Sequence, residues 1–360
     1  MNVLDGGSAA SVDEQEAREL LVELVQTPSV SGNEAACADV LCAFFESHGR
    51  ERFRDEVGNV QAPGDDGVLL TSHLDTVPGE IPVRIEETED GERALWGRGS
   101  VDAKGSLAAM AVVSVRTGAS CLGVVGEEVD SRGSRHALET RDPPDALING
   151  EPSGWDATTL GYRGMMTGTY TAATDSTHTS RPENNAIQDA IEWYDRVESS
   201  FDGGESNSSH EQETFECVTC KPTTVDGGTA SDGLAVEVTM QVQFRVPPGE
   251  TTDTVKANVE AALDGGHIEW EDAVEPVVES PRTPVARAFR VAIRDHGGEP
   301  RLLRKTGTSD MNVFAEVWDC PMVTYGPGDS AMDHTPNEHL VLSEYDRAVR
   351  VLTDATTRLL

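Results

Sequence analysis

Short apolar runs, each followed by polar or glycine-rich sequence and separated by helical stretches, recur along this chain. The runs are Gly67 to Leu74, Ser120 to Val125 and Asp145 to Ile148, and Ser106 to Arg116 is the clearest helical candidate. Upstream, Asp13 to Gly49 carries apolar residues at helical spacing, broken at Thr27-Pro28-Ser29. Strand, crossover helix and strand in alternation predict an α/β fold with a mostly parallel sheet. The same pattern resumes from Val285 to Leu360, ending in an amphipathic helix from Glu344.

The middle of the chain follows a different order. Met166 to Thr174 alternates as a strand, and Asn184 to Val197 has helical spacing behind Pro182. Phe215 to Val225 and Leu234 to Val246 predict two further strands, Thr252 to Leu263 a helix capped by Thr251 or Thr252, and His267 to Val278 a last strand. Strand-helix-strand-strand-helix-strand is the split βαβ unit of ferredoxin-like α+β domains. The expected organisation is therefore one domain over residues 1–164 and 281–360, with a smaller domain inserted at 165–280. The polar stretch Asp202 to Glu213 is expected to be an exposed loop.

The chain has 360 residues, enough for one large domain or two ordinary ones, and 37% of them are hydrophobic. No run approaches eighteen apolar residues, and Met1 to Ala10 has neither a basic start nor an apolar core. No membrane span or signal peptide is expected, and the cytoplasm is the default location. Acidic residues number 64 against 28 basic ones, a formal net charge of −36, and Lys104, Lys221, Lys256 and Lys305 are the lysines. Such a surface repels nucleic acid and anionic membranes. It suits a halophilic source, because at 1 M salt the Debye length falls to about 3 Å and hides the self-repulsion. The six cysteines form no framework, and Cys217-Val218-Thr219-Cys220 lies in a segment that alternates like a strand.

Acidic residues and histidines recur where the runs end. The first closes in Ser72-His73-Leu74-Asp75-Thr76, and a period of two puts His73 and Asp75 on one side. There a carboxylate can hold a histidine tautomer for metal binding. Gly97-Arg98-Gly99-Ser100-Val101-Asp102-Ala103-Lys104-Gly105 sets Asp102 in a glycine-rich turn before a helix. Later runs end in Gly126-Glu127-Glu128 and Asn149-Gly150-Glu151-Pro152, and Tyr325-Gly326-Pro327-Gly328 leads to Asp333-His334-Thr335-Pro336. Open α/β sheets place their sites along the carboxyl ends of their strands. Two histidines and three carboxylates can hold two divalent ions when one carboxylate bridges them. A further carboxylate must stay free as general base, and the Glu127-Glu128 pair can supply one residue for each task.

At these residues the chain resembles the di-zinc metallopeptidases of peptidase family M20, which include aminoacylases, carboxypeptidases and deacetylases. The resemblance spans nearly the whole chain. It implies Asp102 as the bridging ligand, His73 and Glu151 completing one metal site, and Glu128 and His334 the other. It also implies Glu127 as general base, Asp75 as partner of His73, a cis peptide at Asp102–Ala103, and two zinc ions, with cobalt possible. The inserted domain would be a lid that also forms a homodimer. Its motif, Thr177-His178-Thr179-Ser180, would bring His178 to stabilise the oxyanion. Arg245, before Val246-Pro247-Pro248-Gly249, would grip a substrate carboxylate, with Gly307, Thr308 and Arg163 as further substrate contacts.

Within the family, Ser72 to Arg84, Gly126 to His136, Ile148 to Gly164, Lys305 to Asn312 and Thr324 to His339 look like one group. That group comprises hydrolases releasing lysine or ornithine from the terminal glutamate of an amino-group carrier protein, in lysine and arginine biosynthesis. A small-molecule deacylase, acting on acetylornithine or succinyl-diaminopimelate, shares the same metal residues and is the alternative. Lys104, Arg132 and Arg135 stand near the motif edge as possible contacts for an acidic carrier.

Overall fold

The computed structural model describes residues 12–178, 180–201, 214–271 and 273–360. The expectations for Met1 to Ala10 and Asp202 to Glu213 lie outside those residues, as does Thr179. The chain divides into two compact units. The first takes the described residues of Met1–Leu160, Glu279–Leu303 and Ser309–Leu360, and the second those of Gly161–Val278 and Arg304–Thr308.

In the first unit the strands Ala119–Val124, Asp65–His73, Leu147–Gly150 and Met322–Thr324 lie side by side in that order, all parallel. Val60–Ala62 flanks Ala119–Val124 antiparallel, and at the other side Ala157–Tyr162 pairs antiparallel with Met322–Thr324. Val68, Leu69, Leu70 and all of Ala119–Val124 are buried, as expected for central strands covered on both faces. Helix Lys104–Thr117 is buried from Lys104 to Ser114 and stops at Gly118, whose φ of 85° closes the helix in the left-handed region. The helical spacing upstream resolves into helices Glu14–Gln26, capped by Asp13, and Ala35–Ser47. Helices Pro284–Asp295 and Leu342–Thr357 bury Phe289, Ile293, Tyr345 and Leu352 in the same core.

A small antiparallel sheet of Arg84–Glu87, Arg93–Trp96 and His339–Val341 was not anticipated from the sequence. Its strands are short and partly exposed, and it joins segments far apart in the chain, so no local periodicity announces it.

The second unit has a four-stranded antiparallel sheet in the order Thr219–Thr229, Ala235–Val246, Gly164–Asp175, His267–Trp270. Helices Ala186–Phe201 and Thr252–Ala261, the latter capped by Thr251, complete the ferredoxin-like pattern. Met166, Tyr170, Trp193, Val242 and Phe244 form its core. Two boundaries differ from expectation. The second strand starts at Thr219, so Cys217 lies outside it, exposed, while Cys220 is buried within it. The last strand ends at Trp270, and Val277–Val278 pairs instead with Gly161 and Tyr162. Among the described residues no helix is long and apolar enough to cross a membrane.

Candidate metal centre

His73 closes the strand Asp65–His73. Its Nδ1 lies 2.9 Å from the Asp75 backbone oxygen and 3.6 Å from Asp75 Oδ1. With the Nδ1 proton donated there, Nε2 is left with its lone pair free. Nε2 faces Asp102 Oδ1 at 3.2 Å and Glu151 Oε1 at 3.7 Å. Asp102 sits in the turn ahead of helix Lys104–Thr117, and its peptide bond to Ala103 is cis, as the resemblance implied. Its second oxygen, Oδ2, lies 3.0 Å from His334 Nε2, which is also 3.1 Å from Glu128 Oε2. Asp102 therefore stands between the two imidazoles, one oxygen toward each.

Asp75 organises the opposite side. Its Oδ1 accepts from the Glu127 N–H at 3.1 Å, and its Oδ2 accepts from the Glu128 N–H at 3.2 Å and from Ser31 Oγ at 2.7 Å. One fully buried carboxylate thus orients a histidine and holds the backbone of the Glu127-Glu128 pair. Ligand atoms of His73, Glu127 and Glu151 lie within 4.8 Å of one another, as do those of His73, Asp102 and Glu128. The structure brings His73, Asp75, Asp102, Glu127, Glu128, Glu151 and His334 into one cluster.

The cluster perturbs its own titration. Burial opposes charge on His73, but Glu151, Asp102, Asp75 and Glu127 outweigh it and raise its pKa well above that of a free imidazole. His334 is pushed up to about 9, chiefly by its hydrogen bond to Asp102. Asp102 would be raised by burial, yet His334 and His73 hold it far below the usual carboxylate range. Glu127 moves the other way: burial lifts it well above that range, His73 opposes, and Glu151, Asp310 and Glu128 add to the rise. Glu128 Oε1 is buried without a hydrogen-bond partner, and among the described residues no arginine or lysine pairs with Asp102, Glu127 or Glu128. Crowded anionic oxygens and two imidazole nitrogens without a basic side chain among them are a donor set suited to divalent cations.

The remaining site candidates, His178, Arg163, Arg245, Gly307 and Thr308, belong to the second unit. His178 is exposed, and its Nδ1 accepts from the Ser180 N–H at 3.2 Å, which leaves Nε2 to carry the donor proton. Arg245 Nη1 donates to Thr308 Oγ1 at 3.4 Å, and among the described residues no carboxylate pairs with it. Arg163 is buried. Its Nε donates to the Thr306 carbonyl at 3.0 Å, and its Nη1 to the carbonyls of Thr214 and Cys217 and to Thr219 Oγ1. It thus braces the segment that presents Gly307 and Thr308.

One contact expected from sequence is corrected. Lys104 is 1% exposed and donates to the Thr27 carbonyl at 2.6 Å, because it opens a helix that is buried along most of its length. It is not available at the surface. Glu338 and Ser31, whose side chains reach the site's backbone and Asp75, stand in no motif of the sequence. Glu338 sits in the same short run as His334, but nothing in that run shows where its carboxylate turns.

The chain is similar to known proteins over most of its length. The model of peptidase family M20/M25/M40 matches residues 69–358. The chain is 41% identical to a LysW-lysine hydrolase of Deinococcus radiodurans, covering 96% of this chain and 98% of the relative. It is 28% identical to a LysW-lysine/LysW-ornithine hydrolase of Sulfurisphaera tokodaii, covering 95% of each. Its fold matches that of an M20 family metallo-carboxypeptidase from Sulfolobus solfataricus with a TM-score of 0.75, at 19% identity over 96% of this chain and 99% of that one. The chain belongs to peptidase family M20/M25/M40.

Proposed function

We propose that this protein is a two-metal amidohydrolase that releases lysine or ornithine from the terminal glutamate of an amino-group carrier protein of the LysW kind. The observation that carries the metal chemistry is Asp102, whose two oxygens address the imidazoles of His73 and His334 from opposite sides. In this reading Asp102 bridges, His73 and Glu151 complete one site, and Glu128 and His334 complete the other. Asp75 holds the His73 tautomer. Zinc, or cobalt in its place, would polarise the scissile carbonyl and lower the pKa of the attacking water.

The chain's own groups supply the proton handling. Glu127, raised by burial, takes the proton of the attacking water and passes it to the leaving α-amino nitrogen. His178, with its proton on Nε2, donates to the oxyanion, and the Arg245 guanidinium with Thr308 and Gly307 holds the carboxylate of the leaving amino acid. The second unit acts as lid and as the surface of a homodimer, supported by the exposed edge strand Thr219–Thr229. Unpaired cysteines and the charge of −36 support a reducing, salt-rich cytoplasm, and the names of the relatives support a place in lysine or arginine biosynthesis.

The identities to the two hydrolases over nearly the full chain favour the carrier-linked substrate. The test is turnover by the zinc-loaded enzyme, in molar salt, of carrier-linked ornithine and carrier-linked lysine beside N-acetylornithine and succinyl-diaminopimelate. Cleavage of the carrier-linked bond is expected. Turnover of the small acylated compounds alone would replace this reading with that of a free-substrate deacylase.

A further inference from the structure

Asp102 can stand between two imidazoles only if its turn is held still, and the residue that holds it is Glu338. Glu338 is fully buried. Its Oε1 accepts the N–H of Val101 at 2.9 Å and of Asp102 itself at 3.2 Å, and its Oε2 accepts from Arg98 Nη1 at 2.8 Å. Arg98 also donates from Nε to the Gly79 carbonyl at 3.1 Å, and the Gly97 N–H meets the Glu338 carbonyl at 3.4 Å. Next to it, Trp96 Nε1 donates to Asn337 Oδ1 at 3.3 Å, and the Trp96 ring stacks on His339 at 4.8 Å. Glu338 therefore fastens two loops together, the one carrying Asp102 and the one carrying His334 four residues before it.

We infer that Glu338, paired with Arg98, is a positioning residue that sets the Asp102–His334 half of the metal centre. The inference rests on the proposed metal reading and adds an asymmetry to it. His73 and Glu151 are placed by the ends of adjacent parallel strands, Asp65–His73 and Leu147–Gly150, so the sheet itself fixes them. His334 has no such support. It lies in an irregular segment at a φ of 60°, half-exposed, with its Nε2 near Asp102 and Glu128, and Glu338 anchors that segment four residues on. Charge points the same way. A further carboxylate beside Asp102 would add repulsion to the anionic cluster, and Arg98 cancels it while leaving the second oxygen for two backbone donors.

The expected consequence is that loss of Glu338 weakens the metal equivalent at Glu128 and His334 most, and the one at His73 and Glu151 less, because Asp102 serves both but the sheet fixes the other two ligands. Partners of this kind typically change metal affinity by roughly 10- to 100-fold. The experiment is calorimetric titration of Zn2+ into the chelated full-length protein, wild type, Glu338→Gln, Glu338→Ala and Arg98→Met, with the melting temperature of each metal-free form measured in parallel. Glu338→Gln keeps an oxygen for the two backbone donors but gives up the pairing with Arg98, so it should fold and lose less than the alanine variant. Wild type is expected to bind two ions. The variants should bind one ion at least tenfold more weakly and the other with a clearly smaller loss, in the order alanine, then glutamine. Equal affinity for both ions in all variants overturns the positioning role, as does parallel weakening of both ions together with a lowered melting temperature. Fewer than two ions on the wild type would instead fail the metal reading itself.

Discussion

Glu127 and Glu128 are neighbours in the chain with opposite assignments, and their surroundings account for the division. Glu128 directs Oε2 to His334 at 3.1 Å, whereas Glu127 lies with His73 and Glu151; burial raises both glutamates, and lifts Glu127 well above the usual carboxylate range with Glu151, Asp310 and Glu128 adding to it. A base that must accept a proton and return it works best with a raised pKa. Glu127→Gln keeps the shape and removes that capacity. It should lower kcat by roughly 10²- to 10⁴-fold while leaving two metal ions per chain by elemental analysis. Retention of kcat within a few-fold would remove Glu127 from the proton path, and loss of a metal ion would make it a ligand instead. Asp75 differs from both. Burial would raise it, but His73, Ser31 and the Glu128 N–H bring it down to about 2, so it stays an anion that orients and does not shuttle.

The turn between strand Arg93–Trp96 and helix Lys104–Thr117 shows what an element requires of its sequence. Gly99 has a φ of 82°, and a Cβ there would lie 2.7 Å from Thr76 Cγ2 and 3.0 Å from Lys104 Cδ. Gly99→Ala is therefore expected to cost about 1–3 kcal/mol in denaturant unfolding and to disturb Asp102 three residues on. An unchanged midpoint would show that the turn relaxes freely. Much at this scale was legible in the chain. The central strands announce themselves because both faces are buried, and the cap at Thr251 marks where a helix begins. The residues of the cluster were legible because chemistry-bearing side chains recur at strand ends. What escaped was set by tertiary contact. The strand Thr219–Thr229 is an edge strand, mostly exposed, with Pro222 at a register shift and Gly227-Gly228 near its end, so neither burial nor alternation marks its limits. Glu338 escaped because its meaning lies in backbone donors more than 230 positions away.

For the whole molecule the dominant fact is a formal charge of −36 on 360 residues. Arginines answer some of it locally: Arg358 bridges Asp295 and Asp354, Arg301 meets Asp156, and Arg350 meets Glu14. Exposed pairs of this kind contribute little each, about 0–1 kcal/mol, and 28 basic residues cannot answer 64 acids. The surplus repels itself over the Debye length, about 8 Å at 0.15 M and about 3 Å at 1 M. Acidic residues that follow closely in the chain, such as Glu87, Glu89 and Asp90, are all exposed, and salt screens their repulsion. Self-repulsion opposes the compact state, so stability should rise steeply with ionic strength. Thermal unfolding of the zinc-loaded protein in KCl from 0.1 to 3 M is expected to show a melting temperature that climbs by ten degrees or more, with loss of near-ultraviolet dichroism on dialysis to the lowest salt. Comparable rises in sodium and potassium chloride would assign the effect to screening. A melting temperature that stays level across the series would mean that the acids are accommodated without salt, and that the charge reflects something other than a salt-rich cytoplasm.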